Sequence, residues 1–214
     1  MRSFLNRFNP APLKTWNDSA ANALLMFLPG DHGQYICEPF PLPHYFPMLK
    51  HDSDLMGRLG RLRMSVDYLI AHQFEEDGSI KASSVAADGV IQSWRQIGFY
   101  GREFGTVACP FSPLDFKSVA KHVHHVLVRK QTDYGHENIR RFGRIGLIVR
   151  MHDKVARLEN LVARGAIDDP RNESIFDNVV DVMGYSAIGI MWESDSFLLP
   201  LREDAQSRLE VLPL

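Results

Sequence analysis

A chain of 214 residues with a formal charge of −2 and two cysteines is long enough to bury a core without disulfides and has too few cysteines for a disulfide scaffold. Its balance of 24 Lys and Arg against 26 Asp and Glu argues against a broad nucleic-acid surface, which needs a basic excess over the whole domain. No apolar run reaches the roughly 20 residues of a spanning helix, and "MRSFLNRFNPAPLKTW" reads neither as a signal peptide nor as a membrane anchor; the expectation is a soluble, cytoplasmic globular protein with no membrane partner.

Residues 1–50 are irregular in character. "EPFPLPHYFPML" carries four prolines between positions 39 and 47, which excludes a helix there and disfavours a central strand; its aromatics are expected to pack over other elements like a strap. "DSDLMGRLGRLRMSVDYLIAHQF" follows, with Leu55, Leu59, Leu62, Val66, Leu69 and Ile70 at helical spacing. "SSVAADGVIQSWRQIGFYG" reads as a second helix weakened by Gly89, and "FGTVACPFSP" as a loop or short strand.

The second half is more regular. Asp115 can cap "FKSVAKHVHHVLVRK", whose Phe116, Val119, Val123, Val126 and Leu127 form one apolar stripe, and the "DYG" turn breaks that helix. "RIGLIVRMHDKVARLENLVARG" is the next helix, closed by Gly165 as its C-cap. Asn172 can cap "ESIFDNVVDVMGYSAIGIMW", and the tail allows a short helix near 205–211. The fold class predicted is an all-α helical bundle with a Pro- and aromatic-rich irregular N-terminal elaboration. The divisions predicted are 1–115 for the elaboration and its helices, 116–192 for the main helical domain and 193–214 for a tail. The helices around 116–130, 140–164 and 172–192 are expected to form the core, because their apolar stripes have no other obvious partners.

Charge is unevenly distributed. Residues 119–165 hold ten Lys and Arg against four Asp and Glu, a net +6, whereas residues 166–214 hold three against ten, a net −7. Such neighbours can simply attract each other, or can build a site where bases hold an anion and acids hold a metal. Arg150, Asp153, Lys154 and Arg157 lie at i, i+3, i+4 and i+7 and form one charged strip, which is either a solvated face with internal ion pairs or one wall of a site. Glu173, Asp177, Asp181 and Tyr185 fall at successive i+4 steps. Like charges at that spacing repel one another, and three carboxylates on one line are the oxygen ligands that Mg²⁺ or Mn²⁺ requires; the competing reading is a solvated acidic face. The three acids are expected to face a polar cavity, because the rest of that helix is apolar. His122 and His125 share a face near His124, but nothing completes a zinc set, so packing or surface histidines are expected. Walker loop, GxSxG elbow and CxxC pair are all missing from the sequence.

Three ordered motifs then stand out: "K..DYG..N" (Lys130, Asp133, Tyr134, Gly135, Asn138), "G..VR..DK..RL.NL" (from Gly146 through Arg150, Asp153, Lys154 and Arg157 to Leu161) and "ES..D...D..GY" (Glu173, Ser174, Asp177, Asp181, Gly184, Tyr185). Together they resemble the nucleotide modification associated domain 1 family of phages and bacteria, more distantly similar to the MazG-like all-α nucleotide pyrophosphatases, over about residues 119–191. The resemblance implies metal-dependent hydrolysis of a nucleoside triphosphate between its α and β phosphates, acting on a phage or host nucleotide pool. Asp153, Glu173 and Asp177 would be the catalytic acids, and Glu173, Asp177 and Asp181 the Mg²⁺ or Mn²⁺ ligands. Tyr134 would stack on base or sugar in the DYG turn of Asp133, Tyr134 and Gly135, Asn138 would bond the base, Lys130, Arg150, Lys154 and Arg157 would hold phosphates, and Tyr185 would complete the substrate site. A homodimer is also implied. Glu173 and Asp177 are four apart where the pyrophosphatases use three, and only Asp153 stands near the first acidic pair. Nucleotide binding without turnover, or a protein-interaction role for the N-terminal elaboration, are therefore the alternatives.

Overall fold

The computed structural model describes residues 13–27, 55–75, 78–79, 87–108, 116–165 and 174–202. Among them are seven helices and no strand: α1 (Trp16–Leu25), α2 (Leu55–Gln73), α3 (Ala87–Ala108), α4 (Phe116–Tyr134), α5 (Glu137–Arg140), α6 (Gly143–Ala163) and α7 (Ile175–Glu193). The protein is all-α, as its 3.6-residue periodicity predicts. No helix among the described residues is long and apolar enough to cross a membrane. The Pro-rich strap at 39–47, the Asp115 cap and the helix near 205–211 lie outside the described residues.

The bundle is built around α7. Fourteen of its nineteen residues are buried, the pattern of a helix surrounded on all sides. It starts with a reciprocal capping box at Ser174, not at Asn172: Asp177 N–H donates to Ser174 Oγ at 3.1 Å, and Ser174 N–H donates to Asp177 Oδ2 at 2.9 Å. At its other end Glu193, buried to 4% side-chain exposure, receives both arms of Arg144 and ties α7 to the start of α6.

The principal neighbour of α7 is α3, whereas the sequence points to the helices around 116–130 and 140–164; α6, α1 and α4 complete the ring. Small residues explain the difference. A Cβ on Gly101 would come within 2.8 Å of Val182 Cγ1, and one on Gly105 within 2.8 Å of Val179 Cγ1. Two helix backbones therefore approach where side chains are absent, and a stripe that lacks bulk on one helix is invisible to a count of apolar residues. The same helix continues through the expected loop at "FGTVA" to Ala108, because Phe104 and Ala108 are buried in the common core.

The second difference is α1, inside the region read as irregular. Thr15 Oγ1 accepts from the Asp18 N–H at 3.2 Å to start it, and all ten residues are buried. Two of its buried polar residues, Asn17 and Ser19, find partners at the far end of the chain. Asn17 Nδ2 donates to the Arg202 carbonyl at 3.2 Å, Arg202 N–H donates to Asn17 Oδ1 at 2.9 Å, and the Ser19 and Ser196 hydroxyls lie 2.5 Å apart. Trp16 N–H donates to the Pro200 carbonyl at 2.8 Å. All seven helices contribute buried apolar side chains to one core cluster, α5 through Ile139 alone.

Candidate functional site

A cavity of about 360 Å³ opens between α4, α5 and α7. Its apolar wall comes from Trp16, Val123, Leu127, Ile139, Val180 and Ile188, and its polar wall from Lys130, Gln131, Tyr134, Asn138, Arg150, Asp181 and Tyr185. Helical spacing explains the grouping. Val123, Leu127, Lys130, Gln131 and Tyr134 project from one side of α4, and Asp181, Gly184, Tyr185 and Ile188 from the facing side of α7.

The mouth is shaped by the end of α4. Asp133 and Tyr134 belong to its last turn, and Gly135 follows at φ +62°, the left-handed conformation that closes helices at glycine. Gly135 N–H donates to the Gln131 carbonyl at 2.9 Å. The reversal turns α5 back over the cavity and brings Asn138 and Ile139 onto its wall. Tyr134 is left 63% exposed at the rim, while Asp133 is exposed and off the wall. Arg150 reaches in from α6 and donates through Nη2 to Asn138 Oδ1 at 3.0 Å.

Asp181 is the one carboxylate on this wall among the described residues. Lys130 Nζ lies 2.8 Å from its Oδ1 and Lys154 Nζ 2.8 Å from its Oδ2. Burial alone would push the Asp181 carboxyl up, but the hydrogen bonds and charges of the two lysines overcome it and hold the carboxyl below its ordinary value. Among the described residues the wall thus sets Lys130 and Arg150 beside Asp181, with Lys154 behind that carboxylate.

Seven of the predicted residues thus meet: Lys130, Tyr134, Gly135, Asn138, Arg150, Asp181 and Tyr185 line the cavity. Lys154 joins them through Asp181. Arg157 is half-buried on α6, and Asp153 is exposed; neither is on the wall. Asp177 does not face the cavity as expected. It is exposed and its carboxylate closes the α7 capping box. Glu173 lies outside the described residues. A divalent cation needs several free carboxylate or carbonyl oxygens converging on one point. Asp177 and Asp181 do not supply that, since one is committed to the helix cap and both oxygens of the other are held by ammonium groups. Among the described residues no cluster of three His, Cys, Asp or Glu could hold a metal.

His124 and His122 contact other elements, and His125 is exposed. His124 is buried with Nε2 3.0 Å from the Asn17 carbonyl oxygen, and burial pushes its pKa down. The His122 ring packs on Phe176 at 5.4 Å between centroids.

Sequence reasoning missed Trp16 and Gln131 on the cavity wall. The signal for Trp16 was the spacing Thr15-x-x-Asp18, a helix-start pattern inside a stretch dominated by prolines. Gln131 is buried one turn before Gly135 and has no distinguishing spacing of its own.

No family model matches the chain, and neither does any curated protein or solved structure.

Proposed function

We propose that this chain is a nucleotide-binding protein whose ligand occupies the cavity between α4, α5 and α7. The observation that carries the reading is the pairing of chemistries on one wall. Apolar side chains and the exposed Tyr134 ring offer a surface for a flat base, and Lys130 and Arg150 stand beside them for an anion. Asn138 adds an amide for base or sugar, held in place by Arg150. The resemblance to the nucleotide modification associated domain 1 family supports the same ligand class, because its motifs supply Lys130, Tyr134, Gly135, Asn138, Arg150, Asp181 and Tyr185.

Binding is preferred over metal-dependent pyrophosphohydrolysis on a specific ground. Coordination of Mg²⁺ or Mn²⁺ by either Asp181 oxygen would displace a lysine from it, and the Asp177 carboxylate is held at the α7 cap through its Oδ2. A homodimer is part of the proposal; Phe142 and Val149, both exposed at the start of α6, favour contact with another surface, and light scattering decides it.

Titration calorimetry with a panel of nucleotides tests the reading. Binding should fall about tenfold or more in Arg150→Ala, the loss expected for a charged hydrogen bond, and should fall in Tyr134→Ala with little change in melting temperature. Large melting losses with unchanged affinity would remove the cavity from the proposal.

A further inference from the structure

The charge and size of the cavity bear on how many phosphates its ligand carries, a question that rests on the nucleotide reading and goes beyond it. Among the described residues the charged groups on the wall are Lys130, Arg150 and Asp181, a surplus of one positive charge, and Lys154 behind the wall shares the Asp181 carboxylate. A single terminal phosphate carries a charge of about −2 near neutral pH. So small a surplus suits one phosphate better than a triphosphate, whose further negative charge only added cations could neutralise. The usual added cation is Mg²⁺, and the two described acids on the line predicted to hold it are engaged, Asp177 in a helix cap and Asp181 with two lysines. Volume points the same way. A cavity of about 360 Å³ lies at the small end of the range for ligand sites, and Leu127, Ile139, Val180 and Ile188 make much of its wall apolar, leaving limited room for a polyphosphate chain.

We infer that the cavity selects a nucleoside monophosphate over the corresponding triphosphate, and that Asp181 sets this preference by consuming part of the positive charge of Lys130 and Lys154. The carboxylate acts as a positioning residue: it fixes both ammonium groups and limits the anion that they can hold.

The test is calorimetry without added metal, using a nucleoside, its monophosphate and its triphosphate, for one purine and one pyrimidine. The monophosphate should bind about tenfold or more tighter than the nucleoside and more tightly than the triphosphate. In Asp181→Asn the triphosphate should gain on the monophosphate, because one negative charge leaves the wall. A triphosphate bound as tightly as the monophosphate, or more tightly, by the parent protein would overturn the inference while leaving the nucleotide reading intact. Equal binding of nucleoside and monophosphate would also overturn it, since no phosphate would be read. An unchanged ratio in a folded Asp181→Asn protein would overturn the role given to Asp181. Absence of binding by every member of the panel would overturn the nucleotide reading itself.

Discussion

Lys154 Nζ lies 2.8 Å from Asp181 Oδ2 and joins α6 to the central helix α7. Lys130 holds the other oxygen from α4 at 2.8 Å, so one carboxylate gathers three helices at the edge of the cavity. The Asp181 and Lys154 side chains are only 13% and 18% exposed, and that burial separates this pair from a surface ion pair worth little.

Replacing Asp181 with Ala should leave two ammonium groups near each other without a counter-charge. A loss of about 1–3 kcal/mol in unfolding free energy is expected, below the value for a fully buried pair because Lys130 is half-exposed. Urea denaturation should show a lower midpoint with an unchanged slope. A midpoint equal to that of the parent would mean that the lysines contribute nothing to the fold.

Among the described residues, His124 and Asp181 have lowered pKa values that bear on the response to acid. The His124 pKa is lowered by burial, so the unfolded chain binds that proton more readily. Its contribution to stability is complete above the ordinary histidine value of 6.5 and declines as pH falls below it toward the folded value. The Asp181 pKa is also lowered; its contribution is complete above the ordinary value of 3.8 and is lost as pH falls through the folded value. Melting curves should therefore show a first decline just below pH 6.5 that His124→Gln weakens, and a second at lower pH that Asp181→Asn removes. A first decline unaltered in the His124 variant would contradict the assignment.

The seam between α3 and α7 predicts a steric cost. Gly101→Ala would set a methyl 2.8 Å from Val182 Cγ1, and overpacking of that kind costs about 1–3 kcal/mol. The usual gain of helix propensity from Gly to Ala, about 1 kcal/mol, would offset part of it. A lower melting temperature is expected, with recovery in the double variant carrying Val182→Ala. A rise in the single variant would mean that the helices part without cost.

The all-α class and the helices from residue 116 onward were legible because their apolar positions recur every three or four residues and the turn at Gly135 announces itself. Most of the cavity was legible too, since Lys130, Tyr134, Asn138, Arg150, Asp181 and Tyr185 all fall within 56 consecutive residues, on the four successive helices α4 to α7. What stayed hidden depended on distance along the chain. The α1 helix carries buried Asn17 and Ser19, and their side-chain partners, Ser196 and the backbone of Arg202, lie some 180 positions away. Asp177 and Asp181 share a helix line, but Ser174 draws the first into a cap and two lysines draw in the second. The spacing of like charges says where they can meet a ligand, not which nearer partner takes them first.

The central claim is that a nucleotide occupies the cavity between α4, α5 and α7, and a map of backbone amide shifts on titration with a nucleoside monophosphate tests it most directly. The account predicts saturable shifts concentrated at Lys130, Tyr134, Gly135, Asn138, Asp181 and Tyr185, with the Trp16 indole signal moving as well. Shifts clustered on another face, or none at millimolar ligand, would contradict it.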